Sequence, residues 1–151
     1  MMTRIEAVAV ARSFIGTPYI LAGKIKGAGV DCATLISCYL IEIGACEPEN
    51  FAIWSHDWFH HTTEERYKFA LLKHARQLVE TIAIGTPNAQ PGDLILFKVA
   101  KSRVYNHGAI VTSWPMGVHA FDVHVSEVNL VTHALTSHSR MAIFTPWSDT
   151  V

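Results

Sequence analysis

Charge of either sign is scarce in this chain. Only 17% of its 151 residues are charged, and the 12 Lys and Arg nearly cancel the 13 Asp and Glu, for a net charge of −1. No basic run offers the stripe that nucleic acids require, so nucleic acid is not an expected partner. Nothing in the balance would draw the chain to an anionic membrane or wall surface. No apolar stretch is long enough to cross a membrane. The opening Met1–Ala7 lacks the basic start and continuous apolar core of a secretory signal, which predicts synthesis in the cytoplasm. Cysteine is limited to Cys32, Cys38 and Cys46, odd in number and confined to one helix and its end, which excludes a disulfide framework. Their spacing is not that of a zinc site, and the nine histidines form no recognised ligand motif. No metal or cofactor is expected.

What is present points to one domain spanning residues 1–151, with half of its residues hydrophobic and no repeats or low-complexity linker. Residues 3–15 read as a helix whose apolar positions are Ile5, Val8, Ala9 and Ile15, with Arg12 on the same stripe. Thr3 and Glu6 have capping-box spacing. Gly16-Thr17-Pro18 ends it. A loop with three glycines follows Tyr19, and Asp31 caps a second helix over 32–43 with Leu35, Ile36, Tyr39, Leu40 and Ile43 as its stripe. Gly44 stops it.

After an irregular aromatic stretch (Trp54 to His61), Thr62 or Thr63 caps a third helix reaching about Ala75, and residues 77–84 form a short extended piece. Residues 87–92 form a turn. Strands follow at 94–99, 108–112, 118–123, near 125–131, and at 141–144. The spacing predicts an α+β domain, with N-terminal helices packed on a C-terminal antiparallel meander.

The chemistry concentrates at two element starts. Gly29-Val30-Asp31-Cys32 places a thiol at a helix N-terminus, where the helix dipole favours thiolate. Asn106-His107-Gly108 opens a strand with an imidazole, and the two together make a nucleophile–base pair. A hairpin through residues 113–116 brings odd-numbered positions of both strands to one face, so His119 can orient His107. A register odd by one residue would instead select Asp122 or His124. Tyr19 either packs at the base of the loop or, with Asp31, stands on the oxyanion and substrate side of the candidate site, its hydroxyl donating beside the Cys32 amide. Cys38 and Cys46 lack such a setting and read as packing residues. Asp93, in a turn that feeds a strand, reads as structural. The aromatic stretch with His56, His60 and His61 forms either a lip over the cleft or a solvent-facing loop.

These residues resemble the NlpC family of cell-wall cysteine peptidases, which have a papain-like fold. The resemblance rests on the order Gly16-Thr17-Pro18-Tyr19, Asp31-Cys32, Pro91-Gly92-Asp93-Leu94, His107-Gly108 and Val118-His119-Ala120. Residues 11–19 and 26–32 look most like the small branch encoded among phage tail genes. The resemblance implies Cys32 as nucleophile, His107 as base, His119 as the orienting residue and Tyr19 as oxyanion donor. It implies cleavage of amide bonds in peptidoglycan stem peptides, of the γ-D-glutamyl-diamino acid type. The expected partners are that stem peptide and phage tail proteins, with delivery inside a tail or comparable particle. Where the family carries serine or glycine followed by glycine after the cysteine, this chain has Ala33-Thr34, and Thr34 is expected to crowd the cleft. Two rivals are an acyl-transferring or toxin-like thiol amidase and a non-catalytic tail structural protein on the same scaffold.

Overall fold

The computed structural model describes residues 1–47, 65–82 and 89–148, without the side chains of 79–82. The Trp54–His61 stretch, the Thr62 or Thr63 cap and the start of the 87–92 turn lie outside the described residues. Helix α1 (Arg4–Ser13) opens with the expected capping box, Thr3 and Glu6 each bonding the other's backbone amide. Its packed face differs from the predicted one. Ala7, Val8, Val10, Ala11 and Phe14 are buried, whereas Ile5 is 86% exposed and Ile15 is also exposed. Both faces carry apolar residues at helical spacing, but the small Ala7 and Ala11 allow the closer approach of one helix to the layers beneath it.

A two-stranded ribbon, β1 (Lys24–Ile25) and β2 (Gly29–Val30), precedes helix α2 (Cys32–Glu42), and a short helix α3 (Arg66–Leu72) follows. In α2 the predicted stripe Leu35, Ile36, Tyr39, Leu40 and Ile43 is fully buried. Helix α3 stops at Leu72, short of Ala75, because the chain turns there into strand β3 (Arg76–Ile82). The remaining strands are β4 (Leu94–Lys98), β5 (His107–Ser113), β6 (Met116–Phe121), β7 (His124–Asn129) and β8 (Arg140–Thr145).

The expected meander holds for β4 through β7 and then breaks. Strand β8 returns to lie between β3 and β4, giving the all-antiparallel order β3-β8-β4-β5-β6-β7. Burial explains why β8 belongs inside the sheet. Leu94, Leu96, Ile110, Val118, Ala142 and Phe144 face the helices, while Ile95, Phe97, Ala109, Val111, Met141 and Ile143 form a second core on the opposite face. A strand apolar on both sides needs neighbours on both edges and cover on both faces.

Two devices fix the ends of the chain and of the sheet. Arg4 bonds the fully buried Asp93 at 2.8 Å, the Pro91 carbonyl at 2.9 Å and the Thr145 hydroxyl at 3.2 Å, and its guanidinium lies over the Trp147 ring. This agrees with the structural reading of Asp93. At the other edge, residues 16–19 run beside β7. Gly16 donates to the Val125 carbonyl, Val125 to Thr17, and Tyr19 to Val123, so that segment occupies the start of an otherwise open strand edge. Breaking the Arg4–Asp93 pair strands a buried carboxylate. Arg4→Ala is therefore expected to lower the unfolding free energy by about 3 kcal/mol. Urea denaturation reads this, and an unchanged midpoint would show that the clamp adds no stability.

Candidate active site

Asp31 builds the site's first wall. Its Oδ1 accepts from the Ala33 and Thr34 amides at 2.9 and 2.8 Å, and its Oδ2 accepts from the Ala22 amide at 2.8 Å. Both oxygens are thus committed to backbone donors, and a carboxylate has no proton to give an oxyanion. Its placement on the oxyanion side is corrected accordingly: Asp31 shapes the loop and caps α2. Thr34 closes the capping box, its buried hydroxyl accepting from the Asp31 amide at 2.8 Å. That bond turns the Thr34 hydroxyl back into the cap.

Cys32, the half-buried first residue of α2, sets its sulfur against the start of β5. The thiol donates to the Asn106 carbonyl at 3.6 Å, and the amides of Cys32, Gly108 and Ala33 are directed at it. Asn106 and Gly108 flank His107, so the sulfur meets the strand backbone on both sides of the candidate base. Among the described contacts, the sulfur's hydrogen bond runs to the backbone and not to the imidazole. This approach depends on glycine. A Cβ at position 108 would stand 2.5 Å from the Tyr67 hydroxyl and 3.3 Å from Ile36.

Two residues missed by sequence reasoning hold this junction. Tyr67, fully buried on α3, donates its hydroxyl to the Cys32 carbonyl at 2.7 Å. Asn106 clips β5 to the end of β4, its carboxamide accepting from the Val99 amide at 2.9 Å and donating to the Val99 carbonyl at 3.2 Å. Tyr67 lies 35 positions from Cys32 and carries no local signal of the contact. Asn106 is adjacent to the histidine, but its partner follows only from the β4–β5 register.

The β5–β6 register pairs Ala109 with His119 and sets His107 and His119 on one face. Their ring nitrogens, Nε2 of His107 and Nδ1 of His119, lie 2.9 Å apart with the rings nearly perpendicular. His107 Nδ1 is the nitrogen left for a thiol proton. The alternatives sit elsewhere. Asp122 occupies the β6–β7 turn with φ 61°, and His124 is exposed and bridges to Pro18. A third imidazole, also missed, completes the cluster. The His133 ring stands edge-on to His119 at 4.9 Å, and its Nδ1 accepts from the Leu135 amide at 3.1 Å, which leaves the neutral ring's proton on Nε2. Phe121 packs against all three rings.

Burial governs the protonation states. It pushes the Cys32 thiol up to about 12, the Asp31 charge adding to the effect, and together they outweigh the amides that favour thiolate. Burial thus opposes the helix-dipole preference for thiolate at this position. Burial, with the charges of His119 and His133, holds His107 well below the usual imidazole range, and burial with His133 brings His119 to about 4. Tyr19 is raised by burial and by the charges of Cys32 and Asp31, so its phenol remains a donor close to the thiol. Both shifts favour the neutral forms, a thiol at Cys32 and an uncharged imidazole at His107. Cys38 donates to the Lys24 carbonyl, and Cys38 and Cys46 pack beside the core. Among the described residues, no three His, Cys, Asp or Glu side chains gather as a metal site.

No protein-family model matches the chain, and no curated protein is similar to it at the sequence level. Solved structures do match in fold. The NlpC/p60 domain of peptidoglycan hydrolase SagA superposes with a TM-score of 0.61 at 19% identity, over 94% of this chain and 98% of that one. An NlpC protein of Trichomonas vaginalis gives 0.63 at 14% identity over 94% of this chain and 44% of its own. An NlpC/p60 family protein of Bacillus cereus gives 0.60 at 19% identity over 93% and 39%. The chain spans less than half the length of the last two. The α+β architecture is that of NlpC/p60 domains, with Cys32 at the N-terminus of its central helix.

Two measurements test the protonation states. Below about pH 6.5 the unfolded chain takes up protons that His107 and His119 refuse, so stability is expected to fall as pH drops from 6.5 toward 4. The loss per imidazole is at most about 1.4 kcal/mol per pH unit, read by urea denaturation. A flat profile, or one no shallower in His119→Gln, would refute it. Alkylation of resting Cys32 by iodoacetamide is expected to keep accelerating above pH 9, the ordinary thiol value. A plateau reached by pH 7 would instead reveal a thiolate–imidazolium pair.

Proposed function

We propose that this chain is a cysteine peptidase of NlpC/p60 type that hydrolyses amide bonds in peptidoglycan stem peptides. The observation that carries the reading is the seat of the Cys32 sulfur, 3.6 Å from the Asn106 carbonyl and beside His107, whose far nitrogen meets His119 at 2.9 Å. The shared fold with NlpC/p60 domains, one of them from a peptidoglycan hydrolase, supports it.

In this mechanism His107 Nδ1 takes the thiol proton as sulfur attacks the amide carbonyl, while His119 stabilises the imidazolium that forms. The Cys32 amide and the Tyr19 hydroxyl donate to the developing oxyanion. His107 then protonates the leaving amine, and water releases the acyl group from sulfur. The bond we favour follows a γ-linked D-glutamate and precedes a diamino acid. A near-neutral chain such as this, with no bulk charge to hold it on a wall, suits a component of a larger particle. We place it with phage or prophage tail proteins on that ground and on the resemblance of residues 11–19 and 26–32.

One observation favours a second reading, a structural protein that retains the scaffold. The Cys32 thiol is pushed up to about 12, and its hydrogen bond runs to a carbonyl. Incubation of the protein and its Cys32→Ala variant with purified peptidoglycan, followed by mass spectrometry of released fragments, separates the two. New stem-peptide termini with the wild type alone are expected, and they identify the bond. An intact wall in both samples, with folded protein, would favour the structural reading.

A further inference from the structure

A second concentration of chemistry lies at the sheet end where β4 leaves and β8 enters. Lys98 pairs with Arg140 across these strands, so the turn after β4 and the segment before β8 stand side by side. Between them is an open cavity of about 390 Å³, a volume typical of small-ligand sites. Its lining includes Lys98, Lys101, His138 and Arg140, with serines between them and no Asp or Glu.

This grouping is uneven for a chain of net charge −1. Elsewhere Arg4, Arg12 and Lys26 are each matched to an acid at 2.8, 3.0 and 2.7 Å. Lys98 leans toward Glu65 at a loose 3.8 Å and lies over the Tyr105 ring. Lys101 and Arg140 meet no acid among the described residues. Cations gathered around one hollow repel one another unless an anion joins them.

The walls are also shaped in advance. Of the five non-glycine residues with left-handed backbone among the described residues, three line this cavity: Ala100 at φ 53°, Lys101 at 57° and His138 at 64°. Side-chain-bearing residues hold that conformation only where their surroundings enforce it. Here the Ser102 hydroxyl donates to the Val104 carbonyl at 2.7 Å, and the Ser102 amide donates to Val99 at 3.0 Å. Opposite them, the buried Thr136 hydroxyl donates to the Leu130 carbonyl at 2.7 Å, and the Ser139 amide donates to Thr136 at 3.2 Å.

We infer that this cavity is a binding site for a ligand carrying two neighbouring negative oxygen groups, a dicarboxylate or a phosphate. It lies at the same end of the sheet as the candidate active site. Phe97, the residue before Lys98, pairs with His107, and two strand spacings, about 10 Å, separate Arg140 from His107. The segment that walls the cavity begins beside His133, whose ring meets His119 at 4.9 Å. On the peptidase reading, from which this last step follows, the cavity takes carboxylates of the peptide flanking the scissile bond.

The test uses the Cys32→Ala protein, which turns nothing over. It is titrated in low salt with glutarate, and separately with inorganic phosphate, while backbone amide shifts are followed by NMR. Saturable shifts are expected at Lys101, Ser102, His138 and Ser139. Affinity is expected to fall at least tenfold in a Lys101→Gln/Arg140→Gln double variant, whose replaced side chains are both exposed, and to weaken with added KCl. Stronger binding of glutarate assigns a carboxylate-bearing ligand, and stronger binding of phosphate assigns free phosphate; either supports the site. An absence of saturable shifts at those amides, or equal affinity in a folded double variant, overturns it. Binding is read without turnover, so the result stands apart from whether the chain cleaves a wall.

Discussion

The rest of the site depends on how closely the first turn of α2 can approach the first residues of β5. Asp31 sets one side of that approach by drawing the Ala22, Ala33 and Thr34 amides onto a single carboxylate. Gly108 sets the other by leaving no side chain between the strand and Ile36. The same aspartate works against the chemistry it organises, because its charge stands beside Cys32 and helps keep the proton on sulfur. A thiol shielded in this way is protected from casual oxidation. On the proposed mechanism it acts only in concert with a base, so the position of His107 matters more than the resting charge of the sulfur.

The parts of this arrangement legible in the sequence were those encoded locally. The Asp31 cap, the stripe of α2 and the shared face of His107 and His119 all follow from short-range periodicity, and the hairpin linking β5 to β6 is only residues 114–115 long. Contacts that require distant partners were not legible. Tyr67 reaches Cys32 from another helix, Asn106 pairs with Val99 through its side chain, and His133 comes to His119 from the segment after β7. The exposed face of α1 was misread for a different reason. Ile5 and Ile15 are more hydrophobic than Ala7 and Ala11, but close packing selects small residues where layers come together. The burial that opposes thiolate at Cys32 was not legible either, because a helix dipole is a local property, whereas burial belongs to the whole fold.

The return of β8 into the middle of the sheet has a similar status. Its sequence reads as one more strand at the end of a meander, and only two-sided burial reveals it as an interior strand, between β3 and β4. Its position brings Arg140 next to Lys98 and thereby into the neighbourhood of His107. Residues far apart in sequence thus meet at one end of the sheet: the thiol, three imidazoles and a group of cations. The opposite end is given to the Arg4–Asp93 clamp and carries stability instead.

The segment 16–19 that lies along β7 also joins two pieces of the site into one body. Tyr19 is fastened by its backbone to Val123, and Val123 follows the strand that carries His119. Tyr19 and His119 are therefore both tied to one hairpin, Tyr19 by a backbone bond and His119 by position, and a displacement of that hairpin carries both. The angle between them is a rigid property of the scaffold, held before any substrate arrives.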